Sequence, residues 1–406
     1  VDRRRFLSTS AAIAAGGSLL SLGGCSKASA NTVKIVSSMP RTGSAQGQTD
    51  TIVNGARMAI DEYGGEVAGF KIKFEDKDDA TAAQGSWDAG READNAREAA
   101  ADPDVMVFIG PYNSGASKIS QPILNEAGLL QISPACTSVE LTKKVPGDTS
   151  GQPDIYRRSG KLTYCRVCPN DTVQGPLSAV FAKEYVKAKS VFILDDKELY
   201  GRGLSNLFGR KCQELGIQVL GQESIIPTQQ NFKSIITSIA EKKPDLLYFG
   251  GTSQSGGPQI ALDMKGILNC PLLVPDGCYE IAFIKAAGPE LFKSVKCYAT
   301  IGGTDVSELK GAGAEFVKNY KAKYHKDPEA YAIYGYEAAK VFLEALKSVG
   351  KKDREEIRKA VLATKDFDKG ALGKWSFDAD GDTTLMALTV SEVVGDNFKP
   401  VRSITG

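Results

Sequence analysis

Histidine is nearly missing from this chain. Only His325 occurs among 406 residues, on a helical stretch between lysines, where a solvated surface position is expected. That scarcity makes Ser–His–acid catalysis and histidine-based metal centres hard to assemble. A charge surplus is missing too. Fifty Lys and Arg against 49 Asp and Glu leave a net +1, which provides no broad electrostatic footprint for nucleic acid. No G-x-x-x-x-G-K-[ST] loop occurs, and Gly250–Gly257 lacks G-x-G-x-x-G spacing, so a phosphate cradle has little support. Asp378-Ala-Asp-Gly-Asp382 looks like a calcium loop, but Gly381 falls at its fourth position rather than the sixth. Thr389 stands where the bidentate glutamate would be needed, so a tight turn between tail strands is expected instead. No cofactor and no metal are expected. Beyond the N-terminus, no apolar run reaches the ~18 residues that a membrane span needs.

The first residues carry processing information rather than fold. Arg3-Arg-Arg-Phe-Leu7 precedes a weakly apolar Ala/Gly/Leu run, the pattern of a twin-arginine export signal. The run ends in Leu22-Gly-Gly-Cys25, which resembles a bacterial lipobox. Residues 1–31 are therefore expected to be signal and tether, with Cys25 carrying the lipid. The expected location is the periplasm or cell envelope, and the only expected membrane contact is the lipid anchor. Seven cysteines remain, an odd number, so at least one lacks an intrachain partner. Cys165-Arg-Val-Cys168 invites a redox or metal reading. It falls on an expected strand (Tyr164–Val167), which would point the two thiols to opposite faces. Core thiols or one or two structural disulfides account for these residues better.

With 42% hydrophobic and 24% charged residues, the chain is globular and long enough for two cores. Its organising stretch is Val105-Met-Val-Phe-Ile-Gly-Pro-Tyr-Asn-Ser-Gly-Ala-Ser117. The apolar residues describe a strand buried on both faces of a parallel sheet. Gly110-Pro111 stops it, and Asn113 and Ser114 fall where a helix from Gly115 to about Glu126 takes its N-cap. Backbone N–H groups at such a helix start attract a carboxylate or phosphate. The next strand, Leu129–Ser133, ends in a second hydroxyl-rich loop, Pro134-Ala-Cys-Thr-Ser138.

Strand–helix alternation begins at Val33 and continues past a Gly/Pro/Asp/Ser-rich loop (residues 145–160) into a second series opening at Tyr164–Val167. There the strand Val191–Leu194 ends in Asp195-Asp-Lys-Glu-Leu-Tyr-Gly201, with a helix expected over Leu204–Leu215. The strand Leu272–Val274 ends in Pro275-Asp276-Gly277, and tail strands lie near Leu385–Val393 and Pro400–Ser403. Repeated alternation predicts an α/β fold of two doubly wound units, with ligand outside the strand carboxyl ends.

The order of these segments resembles the leucine/isoleucine/valine-binding proteins, type I periplasmic substrate-binding proteins of ABC transporters. The resemblance rests on Met39-Pro-Arg-Thr-Gly43 before Asn54-Gly-Ala56, on Ile109–Ser114, Ile132–Thr137, Asp196–Gly201, Tyr248–Gly251 and Tyr334–Ala338. It implies two Rossmann-like lobes joined by a three-strand hinge. Lobe one would combine residues 32–166 with 302–368, and lobe two 167–301 with 369–406. It further implies that Ser114, the backbone at Ala135 and the Thr137 hydroxyl cradle an α-carboxylate and α-ammonium, beside Tyr112 and Asn113. Tyr200 and Asp276 would close from the second lobe, Asp276 pairing with the ammonium. The family's aromatic residues are replaced here by Gln48 and by Thr252 and Ser253. A pocket lined by Gln48, Tyr112, Tyr200, Ser253 and Tyr279 suits a wider or more polar amino acid, or an amide, as well as leucine.

The implied function is capture of an amino-acid-like solute by a monomer and its delivery to a membrane permease, without chemistry. Two rivals stand beside it. One is a ligand-sensing subunit for a signalling partner. The other is an exported amidase or hydrolase with Cys136 or Ser114 as nucleophile, weakened because neither has a histidine base.

Overall fold

The computed structural model describes residues 29–405, so the segment expected to be an export signal, and Cys25 with it, lie outside the described residues. Two sheets organise the molecule. The first contains β1 (Thr32–Met39), β2 (Glu66–Val67), β3 (Phe70–Asp78), β4 (Val105–Ile109), β5 (Leu130–Ser133) and β6 (Tyr164–Arg166), in the order β2-β3-β1-β4-β5-β6. Only β2 runs antiparallel to its neighbour. The second contains β7 (Ser190–Asp195), β8 (Gln218–Ser224), β9 (Leu246–Gly250), β10 (Leu272–Val274), β11 (Cys297–Gly302), β12 (Ala387–Val394) and β13 (Asn397–Thr405). Its order is β13-β12-β11-β10-β9-β7-β8, parallel except for β12, which runs antiparallel to both β11 and β13.

The central strands are short and wholly apolar: every residue of β4 and of β9 is buried. This is what helices on both faces of a parallel sheet demand. The helices are α1 (Gln46–Glu62), α2 (Ala89–Ala101), α3 (Ser114–Glu126), α4 (Asp171–Phe181), α5 (Leu199–Glu214), α6 (Lys233–Lys242), α7 (Gly257–Met264), α8 (Ile281–Ala287), α9 (Ala312–Tyr324), α10 (Ala332–Val349) and α11 (Arg354–Leu362). Several starts are written in local chemistry. The Asp88 carboxylate accepts from the Arg91 N–H at 3.0 Å, Asn170 from Thr172 at 2.9 Å, and Asp353 from Glu355 and Glu356 at 2.9 and 3.0 Å.

The late helices return to the first sheet. α10 crosses α1 where Gly55 and Gly335 face the partner backbone. A Cβ at either would stand 2.0 Å from a carbonyl oxygen, that of Ala332 or of Ile52. α11 then packs beside β4, while β12 and β13 rejoin the second sheet. The chain thus passes between the sheets after β6, after β11 and after α11.

Three expectations need correction. Tyr164–Arg166 does not open the second unit: it pairs with β5 as the edge of the first sheet, each Cα facing Gln131 to Ser133. The helix expected from Leu204 begins at Leu199, so Tyr200 lies in its first turn. Glycines at 201 and 203 hid that start, because glycine is a poor helix former. Asp378–Asp382 does form a tight turn, with Phe377 bridging Thr383, but it lies ahead of β12 rather than between the tail strands, and its last carboxylate has a larger role. Asp382 is buried against Arg166 at 2.6 Å and accepts from Asn170 at 2.7 Å, tying the edge of the first sheet to the segment leading into β12. All seven cysteines from Cys136 to Cys297 are free thiols, with Cys165 and Cys168 both buried, so the disulfide alternative falls away. His325 is exposed and caps α9 with φ 55°.

Candidate functional site

The carboxyl ends of β4 and β5 face those of β7, β9 and β10 across a cleft. On the first-sheet side, the chain leaves β4 through Gly110, whose φ is +131° and whose Cβ would stand 2.5 Å from the Ser38 carbonyl oxygen. Only glycine fits, and the sharp exit places Tyr112, Asn113 and Ser114 over the sheet edge. α3 starts there without a side-chain cap: Asn113 is the N-cap residue but its side chain takes no backbone N–H. The first-turn N–H groups of α3 have no acceptor within the helix and point into the cleft.

On the second-sheet side, Asp276 follows β10 in a short 3-10 turn and is buried. Its carboxylate accepts from the Tyr200 hydroxyl and the Gln174 amide, both at 2.5 Å, and from the Tyr331 hydroxyl. Its own N–H donates back to the Gln174 oxygen at 3.1 Å. Burial raises the Asp276 pKa, and the hydrogen bonds from Tyr200, Tyr331 and Gln174 oppose that rise. Asp171, at the start of α4, is likewise pushed up by burial and by the nearby Asp276.

Two adjoining cavities fill the cleft. The smaller, about 20 Å³, is lined by Tyr112, Asn113, Ser114, Ala135, Tyr200, Thr252, Asp276 and Gly277. The larger, about 90 Å³, shares Asn113, Ser114, Tyr200 and Thr252 with it and extends past Trp87, Asp196, Glu198 and Gln254. Neither wall contains a lysine, arginine or histidine. Several buried polar atoms at the site have no hydrogen-bond partner: the Tyr112 hydroxyl, Asn113 Oδ1, Thr137 Oγ1 and Asp171 Oδ2. Buried polar groups are normally satisfied, so their concentration here marks a surface built for a polar solute.

The structure brings Tyr112, Asn113, Ser114, Ala135, Tyr200 and Asp276 together. Ser114 Oγ accepts from the Ser138 N–H at 3.3 Å, and the Ala135 N–H donates to Ser133 Oγ at 3.3 Å. Thr137 lies one layer deeper, its carbonyl accepting from the Asp171 N–H at 2.9 Å. Gln48 is fully buried outside both cavities and donates to the Tyr279 carbonyl at 3.2 Å. Ser253 is turned aside, its N–H donating to the Gly277 carbonyl at 2.9 Å, and Thr252 takes the lining position. Tyr279 points away altogether. Its hydroxyl meets Asp305 at 2.7 Å and Ser391 at 2.6 Å, and its ring stacks on Phe398 at 4.3 Å. The turn Asp276–Cys278 rotates that residue out of the cleft toward a separate groove of about 600 Å³.

Sequence reasoning missed Gln174, Tyr331 and Trp87. The first two come from helix starts distant in sequence, α4 and the turn before α10, and no local motif marks them. The neighbouring Tyr334-Gly-Tyr-Glu-Ala338 was legible only as a family mark. Trp87 packs over Gly115, where an added Cβ would stand 2.6 Å from the indole.

An unoccluded helix start opposite a buried carboxylate, in a cleft between two α/β lobes, defines a two-lobed solute-binding protein. The sequence profile described as "Periplasmic binding protein" matches residues 32–397, and the chain belongs to that family. It is 27% identical over 336 residues to Leu/Ile/Val-binding protein homolog 1 of Brucella abortus, covering 82% of this chain and 83% of the relative. A leucine-binding protein from Thermotoga maritima superposes with a TM-score of 0.80 at 26% identity, covering 92% of this chain and 99% of the other. The branched-chain amino acid substrate-binding protein LivJ of Streptococcus pneumoniae, solved with isoleucine, shares the fold with a TM-score of 0.79 at 23% identity, covering 93% and 100%.

Proposed function

We propose that this protein captures an amino acid or amino-acid-like solute between its lobes and hands it to an ABC permease. The observation that carries this reading is the pairing of opposite poles across the small cavity. The α3 N-terminus with Ser114, beside the loop at Ala135, offers donors to an α-carboxylate, and Asp276 offers a negative charge to an α-ammonium. The names of the Brucella and Thermotoga relatives support the amino-acid reading. Lobe one is proposed as residues 32–166 with 302–368 and lobe two as 167–301 with 369–406, closing about the three connecting segments. The protein works as an exported monomer, tethered through a lipid on Cys25.

Hydrolysis is the weaker account. The Cys136 thiol is buried, donates to the Pro111 carbonyl at 3.1 Å, and has its pKa pushed up to about 12 by burial, the opposite of an activated nucleophile. A thermal-shift screen of the twenty amino acids, small amides and aromatic acids tests the proposal, because ligand at 100 times Kd adds about 2.7 kcal/mol of stability. Stabilisation by amino acids is expected. Stabilisation by amine-free acids alone would overturn it, and turnover of amino-acid amides lost in Cys136→Ala would establish the rival.

A further inference from the structure

Two carboxylates, Glu280 and Glu329, lie together where the two sides of the cleft touch. The segment Tyr279–Ile281, between β10 and α8, is held from the first-sheet side by two hydrogen bonds. Gln48 of α1 donates to the Tyr279 carbonyl at 3.2 Å, and the Ile281 N–H donates to Glu329 Oε2 at 3.3 Å. Glu329, in the turn before α10, is itself fixed to α1, because its N–H donates to Thr51 Oγ1 at 3.2 Å. Glu280 stands between the two held residues. It is 1% exposed, its Oε1 accepts from the Gln254 amide at 3.3 Å, and its Oε2 has no partner among the described residues. Both carboxylates line the separate groove of about 600 Å³, and neither lines a solute cavity. They are not equally provided for. Burial raises the Glu329 pKa, but the Ile281 N–H and the charges of Lys326 and Lys285 hold it back. Burial pushes the Glu280 pKa up to about 8, the Ser253 hydroxyl opposes that rise, and Glu329 adds to it. Tyr112 and Cys278, the other titratable neighbours of Glu280, are kept neutral by burial. Elsewhere in the groove wall, Asp305 is engaged by the Tyr279 hydroxyl at 2.7 Å and Asp327 by Lys321 at 2.9 Å.

We propose that Glu280 and Glu329 form a proton-operated latch: closure on a solute brings the two carboxylates together, Glu280 takes up a proton, and affinity falls as pH rises. The step moves one proton from solvent to a Glu280 oxygen and changes no other bond. The latch rests on the reading that the two sides close about an amino acid, and it adds a coupling of that closure to pH. In the open protein both side chains regain water and an ordinary carboxyl value of about 4.3. The closed form is therefore favoured in full below that value and loses the advantage as pH rises through about 8. Because neither residue lines a solute cavity, the effect is shared by every solute that closes the cleft.

Calorimetric titration of the full mature chain with leucine, and with the amino acid that stabilises it most in the thermal-shift screen, tests this between about pH 6 and pH 8.5. Affinity should fall at least about tenfold over that range, and titration near pH 7 in two buffers of different ionisation enthalpy should show uptake of about one proton per solute. Glu280→Gln should abolish the uptake and flatten the profile. Glu329→Gln keeps an acceptor for the Ile281 N–H but removes the neighbouring charge, so it should move the fall to lower pH. That second variant covers the case in which the first does not fold. The ratio of wild type to variant cancels titration of the solute's own groups and of Asp276. A wild-type affinity constant across the range, or an unchanged profile and proton uptake in either folded variant, would overturn the latch while leaving amino-acid capture intact. Binding of none of the twenty amino acids would remove the amino-acid reading and the latch with it.

Discussion

The two walls of the cleft are built from the same kind of strand–loop–helix unit but carry different chemistry. The first-sheet wall presents a helix start, hydroxyls and loop backbone, and its lining residues Tyr112, Asn113, Ser114 and Ala135 include no charged side chain. The second-sheet wall presents Asp196, Glu198 and Asp276. One wall donates and the other accepts. A solute with a carboxylate and an ammonium on one carbon bridges them, and it gains its full set of charge-assisted hydrogen bonds only when both walls are in contact with it. Selectivity and closure are then the same event.

Removing the charge from the accepting wall should have the largest effect. Asp276→Asn keeps the volume and leaves a buried ammonium unpaired, a loss of about 3–5 kcal/mol, or roughly a hundredfold to several-thousandfold in affinity by calorimetry. The lobes' connection offers the next test. Asp382→Asn leaves Arg166 buried without its counter-charge and should destabilise the fold by about 3 kcal/mol in urea melts. The Asp382 pKa is lowered chiefly through Arg166, against the opposing effect of burial. Its stabilisation should therefore be complete above about pH 4, the unfolded carboxylate value, and fade as pH falls below it. On the donating wall, Ser114→Ala should cost only about 1 kcal/mol in affinity, because the N–H groups of α3 remain.

A buried pair outside the cleft cavities gives a change in stability that depends on pH. Glu92 and Asp79 are both fully buried, with Glu92 accepting from the Ser38 hydroxyl at 2.5 Å, and burial pushes the Glu92 pKa up to about 8. A raised carboxyl favours the fold below its unfolded value near 4 and loses that advantage as pH rises through about 8. Glu92→Gln should accordingly raise the melting temperature most near pH 8–9 and leave it unchanged near pH 4, an estimate following from that linkage. The reverse trend would mean that Glu92 is ionised in the fold.

Much of the donating wall was legible in the sequence, and less of the accepting one. Val105–Ile109 followed by Gly-Pro and a polar helix start is a local pattern, and its residues 112–114 reach the cavity as the pattern predicts. Asp276 was found the same way, after an apolar strand. Its partners Gln174 and Tyr331 were not, because they arrive from α4 and from the turn before α10, more than 50 residues away in each case (102 and 55). Tyr279 was misplaced for a related reason. A turn of three residues decides which way the next side chain faces, and sequence spacing alone does not show that rotation.

The two-pole arrangement is tested most directly by calorimetry with the tightest amino acid from the screen and its two analogues, one lacking the α-amine and one the α-carboxylate. The parent should bind, and each analogue should be weakened at least a hundredfold, roughly 2.7 kcal/mol or more per pole. Asp276→Asn should abolish the difference between the parent and the amine-free acid. Binding of the amine-free acid as tightly as the parent, unaffected by Asp276→Asn, would contradict it.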